Sequence, residues 1–231
     1  MDFEKKYKRQ ISLQEIGIEG QKKLKQAKVL LVGAGGLGSA VSIYLTAAGI
    51  GTLGVIDSDV VSLSNLQRQI LYYESEIGKS KVKCAKKKLQ KLNSDTKINI
   101  YQENLTADNA KDIISNYDIV VDGTDNFQTR FLINDTCVLC DKVYIYGAIA
   151  GFSGQVSVFN YKGGANYRTL FSEEDVLEMK PEKSVIGTLA GIIGCIEATE
   201  AIKVIVNMGN ILSNQLFTIN LLTLETHIFE L

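Results

Sequence analysis

Lys28-Val29-Leu30-Leu31-Val32-Gly33-Ala34-Gly35-Gly36-Leu37-Gly38 is the stretch on which the fold turns. A short apolar run stops at a cluster of glycines, which marks a buried strand. Gly33 to Gly38 then fits G-x-G-x-x-G, at the start of a helical pattern over Gly36–Ala48 that Gly49 stops. A second apolar run ends at Asp57, 19 residues beyond Gly38. Glycines in such a turn let backbone approach a phosphate, the helix N-terminus favours anionic charge, and the carboxylate can accept ribose hydroxyl protons. Gly33, Gly35, Gly36, Gly38 and Asp57 are therefore nucleotide-binding candidates. A glycine turn that serves only tight packing is the plainer alternative.

Outward from this stretch the pattern alternates between strand and helix. Strands are expected over residues 28–32, 52–57, 98–101, 118–122 and 143–148. Helices are expected over 36–48, 78–93, 106–116 with Thr106 as cap, and 125–140 with Asp125 as a candidate cap. The rhythm implies an α/β fold, a doubly wound and mainly parallel sheet with helices on both faces. After residue 150 the rhythm changes. Residues 154–160, 215–221 and 225–231 alternate and are expected as antiparallel strands extending the same sheet. Between them lie a polar stretch, 162–183, and a long apolar helix, 187–208. A long irregular segment in a compact domain is usually functional or mobile.

Composition narrows the function classes. The 231 residues are 45% hydrophobic and 22% charged, which excludes a disordered or fibrous chain. Lys+Arg 25 against Asp+Glu 26 argues against a dedicated nucleic-acid binder. The charged N-terminus shows no signal peptide, and the most apolar window, 185–196, is too short to span a bilayer. Four scattered cysteines suggest a reduced, cytoplasmic protein. The single histidine, His227, is expected to be a surface strand residue, and neither a catalytic histidine nor a histidine–metal cluster is expected. Only Arg9, Arg68, Arg130 and Arg168 are arginines, which makes them candidates for phosphate recognition by a planar, permanently charged fork.

Three further elements argue against a nicotinamide enzyme. Asp57-Ser58-Asp59 is followed by Ser64-Asn65-Leu66-Gln67-Arg68-Gln69, a polar group where a triphosphate would lie. Gly78-Lys79-Ser80-Lys81 opens a helix and sets Lys81 beside its apolar face rather than among the outer lysines. Asp122-Gly123-Thr124-Asp125-Asn126 ends a strand at its carboxyl edge, where a carboxylate can hold Mg²⁺ on phosphates.

These residues, together with Arg9-Gln10, Gly154-Gln155-Val156 and the helix through Glu200-Ala201-Ile202-Lys203, resemble the ThiF/MoeB/HesA family over nearly the whole chain. The resemblance implies a Rossmann-like fold spanning 1–231, with an ATP-binding half, 1–150, and an antiparallel extension, 151–231, that carries a crossover segment at 162–186. It implies an adenylyltransferase that activates the C-terminal glycine carboxylate of a small ubiquitin-like sulfur carrier (ThiS- or MoaD-like) with Mg·ATP, in thiamine or molybdenum cofactor biosynthesis. By position, Asp57 would bind the ribose, Asn65, Arg68 and Lys81 would contact phosphates, and Asp125 would hold Mg²⁺, with Asp59, Gln69 and Asn126 as further nucleotide-binding residues. Arg9 would reach the partner's site in a homodimer.

The chain departs from many relatives in its cysteines. The first of two zinc-binding pairs falls on Asn166-Tyr167-Arg168-Thr169, and residues 171–187 contain no cysteine. No zinc and no covalent carrier adduct are therefore expected. Cys137 and Cys140 are read as core packing within a helix. A relative that adenylates a peptide C-terminus or a tRNA-borne carboxyl group, and an NAD-binding protein, stay open as alternatives.

Overall fold

The computed structural model describes residues 3–178 and 184–231. Eight strands form one sheet: β1 (Lys28–Val32), β2 (Thr52–Ile56), β3 (Lys97–Tyr101), β4 (Ile119–Asp122), β5 (Val143–Ala150), β6 (Ser153–Phe159), β7 (Gln215–Asn220) and β8 (Glu225–Glu230). Their order is β3-β2-β1-β4-β5-β6-β7-β8, parallel through β5 and antiparallel from β6 onward. The fold class and the antiparallel extension agree with the sequence expectation. The strand order reverses at β1, so the loops after β1 and β4 diverge and open a crevice between them.

The helices are α1 (Phe3–Lys6), α2 (Lys8–Ile11), α3 (Gly17–Gln26), α4 (Gly36–Ala48), α5 (Lys81–Leu92), α6 (Ala110–Ile114), α7 (Phe127–Leu139), α8 (Tyr167–Leu170), α9 (Glu173–Glu178) and α10 (Gly187–Val206). Successive strand residues point to opposite faces. On β1, Val29 and Leu31 join the core under α4, α5 and α10, while Leu30 and Val32 join the core under α6, α7 and α8. That second core is rich in rings. Tyr144, Tyr146, Phe159 and Tyr167 are all fully buried there. On the α10 face, Glu197 is fully buried against Gly147, and neither carboxyl oxygen has a hydrogen-bond partner among the described residues.

Several local expectations are corrected. Helix α5 starts at Lys81, because the segment before it is drawn into a bridge between Val60 and Ser80. Helix α6 is much shorter than expected, and Thr106 does not cap it. The Oδ1 of Asn109 instead accepts from the Thr106 N–H. The cap of α7 is Asn126, whose Oδ1 accepts from Thr129 N–H at 2.9 Å, and not Asp125. The polar stretch carries α8 and α9, the former anchored by Tyr167 N–H donating to Asn134 Oδ1 at 2.7 Å. Residues 179–183 of the expected crossover segment lie outside the described residues.

Candidate functional site

The carboxyl ends of the parallel strands enclose an open cleft of about 1440 Å³. Its floor is the glycine turn. Gly33 has φ +93°, and a Cβ there would meet the carbonyl of Gly123 at 2.5 Å, so the turns after β1 and β4 touch backbone to backbone. A Cβ on Gly38 would strike the Gly33 carbonyl, so its bareness serves the packing of α4 on the turn. Gly33, Gly35 and Gly36 line the cleft, and Gly38 lies below it. The first N–H groups of α4 open onto this floor, as an anion site requires.

Asp57 organises the turn. Its Oδ2 accepts from Ala34 N–H at 2.8 Å and its Oδ1 from Asp59 N–H at 2.7 Å. The Tyr72 hydroxyl donates to the Ala34 carbonyl at 2.8 Å, so Ala34 is held from both sides. Burial pushes the Tyr72 phenol well above its ordinary range and keeps it a donor. Lys81, 4% exposed, donates to Asp59 at 2.8 Å and stands 4.0 Å from Asp57. Its aliphatic stem is in the core and its ammonium is in the cleft wall. Arg68 crosses the start of α4 beside Gly36, with Nη1 donating to the Ser64 carbonyl at 3.3 Å. Gln69 lies buried next to Gly35, its Oε1 without a hydrogen-bond partner among the described residues.

The opposite wall is the loop after β4. Asp125 is exposed there and makes no hydrogen bond or ion pair among the described residues. Asp59, Arg68, Gln69, Lys81, Asp125 and Asn126 thus share the cleft with Asp57. Asn65 and Arg9 do not line it. Asn65 sits in a short 3-10 turn, its carbonyl accepting from Arg68 and Gln69 N–H, and Arg9 is exposed on α2. Arg130 and Arg168 are not loose phosphate hooks. Arg130 pairs with Asp122, and Arg168 with Asp135 and Glu173.

Two groups on the cleft wall escaped the sequence reading. Glu103, Asn104 and Leu105 follow β3, and neither the N–H nor the C=O of Leu105 has a hydrogen-bond partner among the described residues. Their position at the carboxyl end of a parallel strand was the available signal. Gln155, Thr218 and His227 stand in register across β6, β7 and β8 and extend the cleft. No local pattern indicates that row, because only strand pairing assembles it. His227 is exposed on β8 as expected, yet it also lines the cleft. Chemically, the cleft joins an anion-binding turn, the cations of Arg68 and Lys81 and the Asp125 carboxylate, which has no partner among the described residues, a combination suited to a polyphosphate with a divalent cation. Among the described residues no helix is long and apolar enough to cross a membrane.

An open, doubly wound sheet with a glycine turn and charged residues gathered at its strand ends defines a Rossmann-like α/β protein. More specifically, the chain belongs to the ThiF family, whose model matches residues 7–231. It is 46% identical over 98% of its length to a probable molybdopterin-synthase adenylyltransferase of Porphyra purpurea, and covers 60% of that protein. It is 46% identical over 91% of its length to the adenylyltransferase and sulfurtransferase MOCS3 of Culex quinquefasciatus, and covers 49% of that protein. The chain thus spans about half to six-tenths of these curated relatives. The structure of E. coli MccB with ATP superposes with a TM-score of 0.81 at 26% identity, over 91% of this chain and 65% of that one.

Proposed function

We propose that this chain is an adenylyltransferase acting on the C-terminal glycine carboxylate of a small ubiquitin-like sulfur carrier. The observation that carries the reading is the meeting of the glycine turn, Asp57, Arg68, Lys81 and Asp125 in one cleft. The names of the red-algal and mosquito relatives favour molybdenum cofactor biosynthesis over thiamine biosynthesis.

In this reading ATP lies with its ribose hydroxyls toward Asp57 and its phosphates over the first turn of α4. The free N–H and C=O of Leu105 suit the N1 acceptor and N6 donor of adenine. A carrier carboxylate oxygen attacks the α-phosphorus, the bond to the bridging oxygen breaks, and pyrophosphate leaves with that electron pair. No side-chain nucleophile is needed. Lys81 and Arg68 stabilise charge that builds on the phosphates. Asp125, an exposed carboxylate unpaired among the described residues, would hold Mg²⁺, which would supply charge neutralisation at the phosphates. Gln155, Thr218 and His227 offer polar contacts to an extended tail entering from the β8 side.

The whole chain, 1–231, acts as one adenylation unit in a cytoplasmic homodimer, with Arg9 reaching the partner's cleft. The exposure of Arg9 away from its own cleft supports this arrangement, as do the exposed apolar side chains of Leu63, Ile70 and Tyr73. The product is a free acyl-adenylate, and the chain holds no structural zinc. ATP–pyrophosphate exchange against carriers ending in Gly-Gly tests the reading. Exchange that depends on such a carrier is expected. Exchange with other carboxylates only, or retention of NAD in place of ATP, overturns it.

A further inference from the structure

We propose that Arg130 and Asp122 form a positioning clasp that fixes Asp125 for the metal–nucleotide complex, an inference resting on the function proposed above. Asp122 ends β4 and is fully buried. Its Oδ1 accepts from the Thr124 N–H at 2.8 Å and from the Thr124 hydroxyl at 2.6 Å. Its Oδ2 accepts from the Tyr144 hydroxyl at 2.7 Å and from Arg130 Nε at 3.3 Å. Arg130 Nη2 then donates to the Thr124 carbonyl at 3.0 Å. Every hydrogen-bonding group of Thr124 is therefore taken, one residue before the unpaired Asp125.

A buried ion pair that served only the core would end at Asp122. Here the guanidinium spans the carboxylate and the loop carbonyl, a fork that lysine cannot reproduce. The rings of Phe127 and Tyr146, 5.7 and 5.5 Å from the guanidinium, hold its plane in place. Tyr146 is itself fixed by Gln155 Nε2, which donates to its hydroxyl at 2.5 Å. Arg130 is also among the residues that line the cleft. Holding Asp125 in one place spares the ligand the cost of ordering that loop on binding.

The test is a double-mutant cycle of Arg130→Lys and Asp125→Ala, read by calorimetric binding of a non-hydrolysable ATP analogue with Mg²⁺ and with chelator. Arg130→Lys is expected to weaken Mg²⁺-dependent binding about tenfold, leave chelator-treated binding unchanged, and add nothing in the Asp125→Ala background. Amide hydrogen exchange of ligand-free protein should accelerate at residues 123–126 and not in the strands. Additive losses, equal losses with chelator, or unchanged exchange overturn the clasp while the function stands. Should Arg130→Lys fail to fold, Thr124→Ala keeps the guanidinium and runs the same cycle. A wild-type chain that binds no Mg²⁺–nucleotide overturns the proposed function and the clasp with it.

Discussion

The ammonium of Lys81 is held 4.0 Å from the carboxylate of Asp57, on a side chain that is 5% exposed. A 2.8 Å hydrogen bond to Asp59 fixes it there. A cation so placed is already ordered before any ligand arrives, and the carboxylate that accepts the Ala34 N–H holds the glycine turn against it. Preorganised charge of this kind stabilises a transition state without reorganisation cost.

Replacing Lys81 by Ala should therefore cut carrier-dependent pyrophosphate exchange by about a hundredfold at saturating ATP. Asp59→Asn, which loosens the ammonium but keeps it, should cost less. Steady-state exchange rates check the order. Equal losses in the two variants would show that Asp59 is more than a tether.

Arg68→Ala and Asp125→Ala should each cost at least about 2.7 kcal/mol in transition-state stabilisation, the size expected for one preorganised group. Neither side chain supports the core, so circular dichroism and melting temperature should stay near wild type. Near-normal exchange in either variant removes the role proposed for it.

Arg9→Ala and Asp125→Ala subunits should each be nearly inactive alone. Mixed by co-expression, they should regain part of the activity, because one cleft of the mixed dimer then has Asp125 and the partner's Arg9. Activity no greater than the sum of the parents, or a fully active monomer in light scattering, counts against composite sites.

Glu197 gives a pH prediction. Burial holds its carboxyl well above the ordinary range, with the Asp122 carboxylate adding to the shift and Arg130 opposing it. The unfolded chain loses this proton near pH 4.5, whereas the folded chain keeps it. Stability from this group is thus complete at low pH and declines as pH rises toward the folded-state value, by up to about tenfold in the folding equilibrium per pH unit. Glu197→Gln, neutral throughout, should flatten that slope, and its melting temperature should gain on wild type as pH rises from 5 to about 8. Parallel stability–pH curves for the two proteins would falsify the assignment.

Dialysis against a zinc chelator should leave the melting temperature unchanged, and elemental analysis should find only substoichiometric zinc. A structural site needs about four nitrogen or sulfur ligands. The four cysteines are spread over α5, α7 with its C-cap, and α10, and Cys84 and Cys137 are buried.

Periodicity and turn chemistry made most of the framework legible. The bounds of β1 and α4 follow from an apolar run, a glycine cluster and the left-handed Gly49, all of them short-range properties of the chain. Asp57 and Asp125 could be named because open α/β sheets bind ligands at the carboxyl ends of their strands, and Arg68 and Lys81 from their motif positions in the family resemblance. Short elements were less legible. Asn126 displaced Asp125 as the cap of α7, and α6 shrank to Ala110–Ile114, since caps compete within a turn on fractions of a kcal/mol.

Local pattern along the chain set the alternation of strands and helices and supplied the polar residues at strand ends. Tertiary structure alone decided which of those residues share one cleft. It left Asn65 in a turn outside the cleft and Gly38 beneath it, and engaged Arg130 with Asp122. It also carried His227, through the register Gln155–Thr218–His227, to the far end of the cleft. The reason is one of range. A strand or a helix is set by neighbours a few residues apart, whereas these contacts join segments far apart in the chain, whose approach only sheet order and core packing determine.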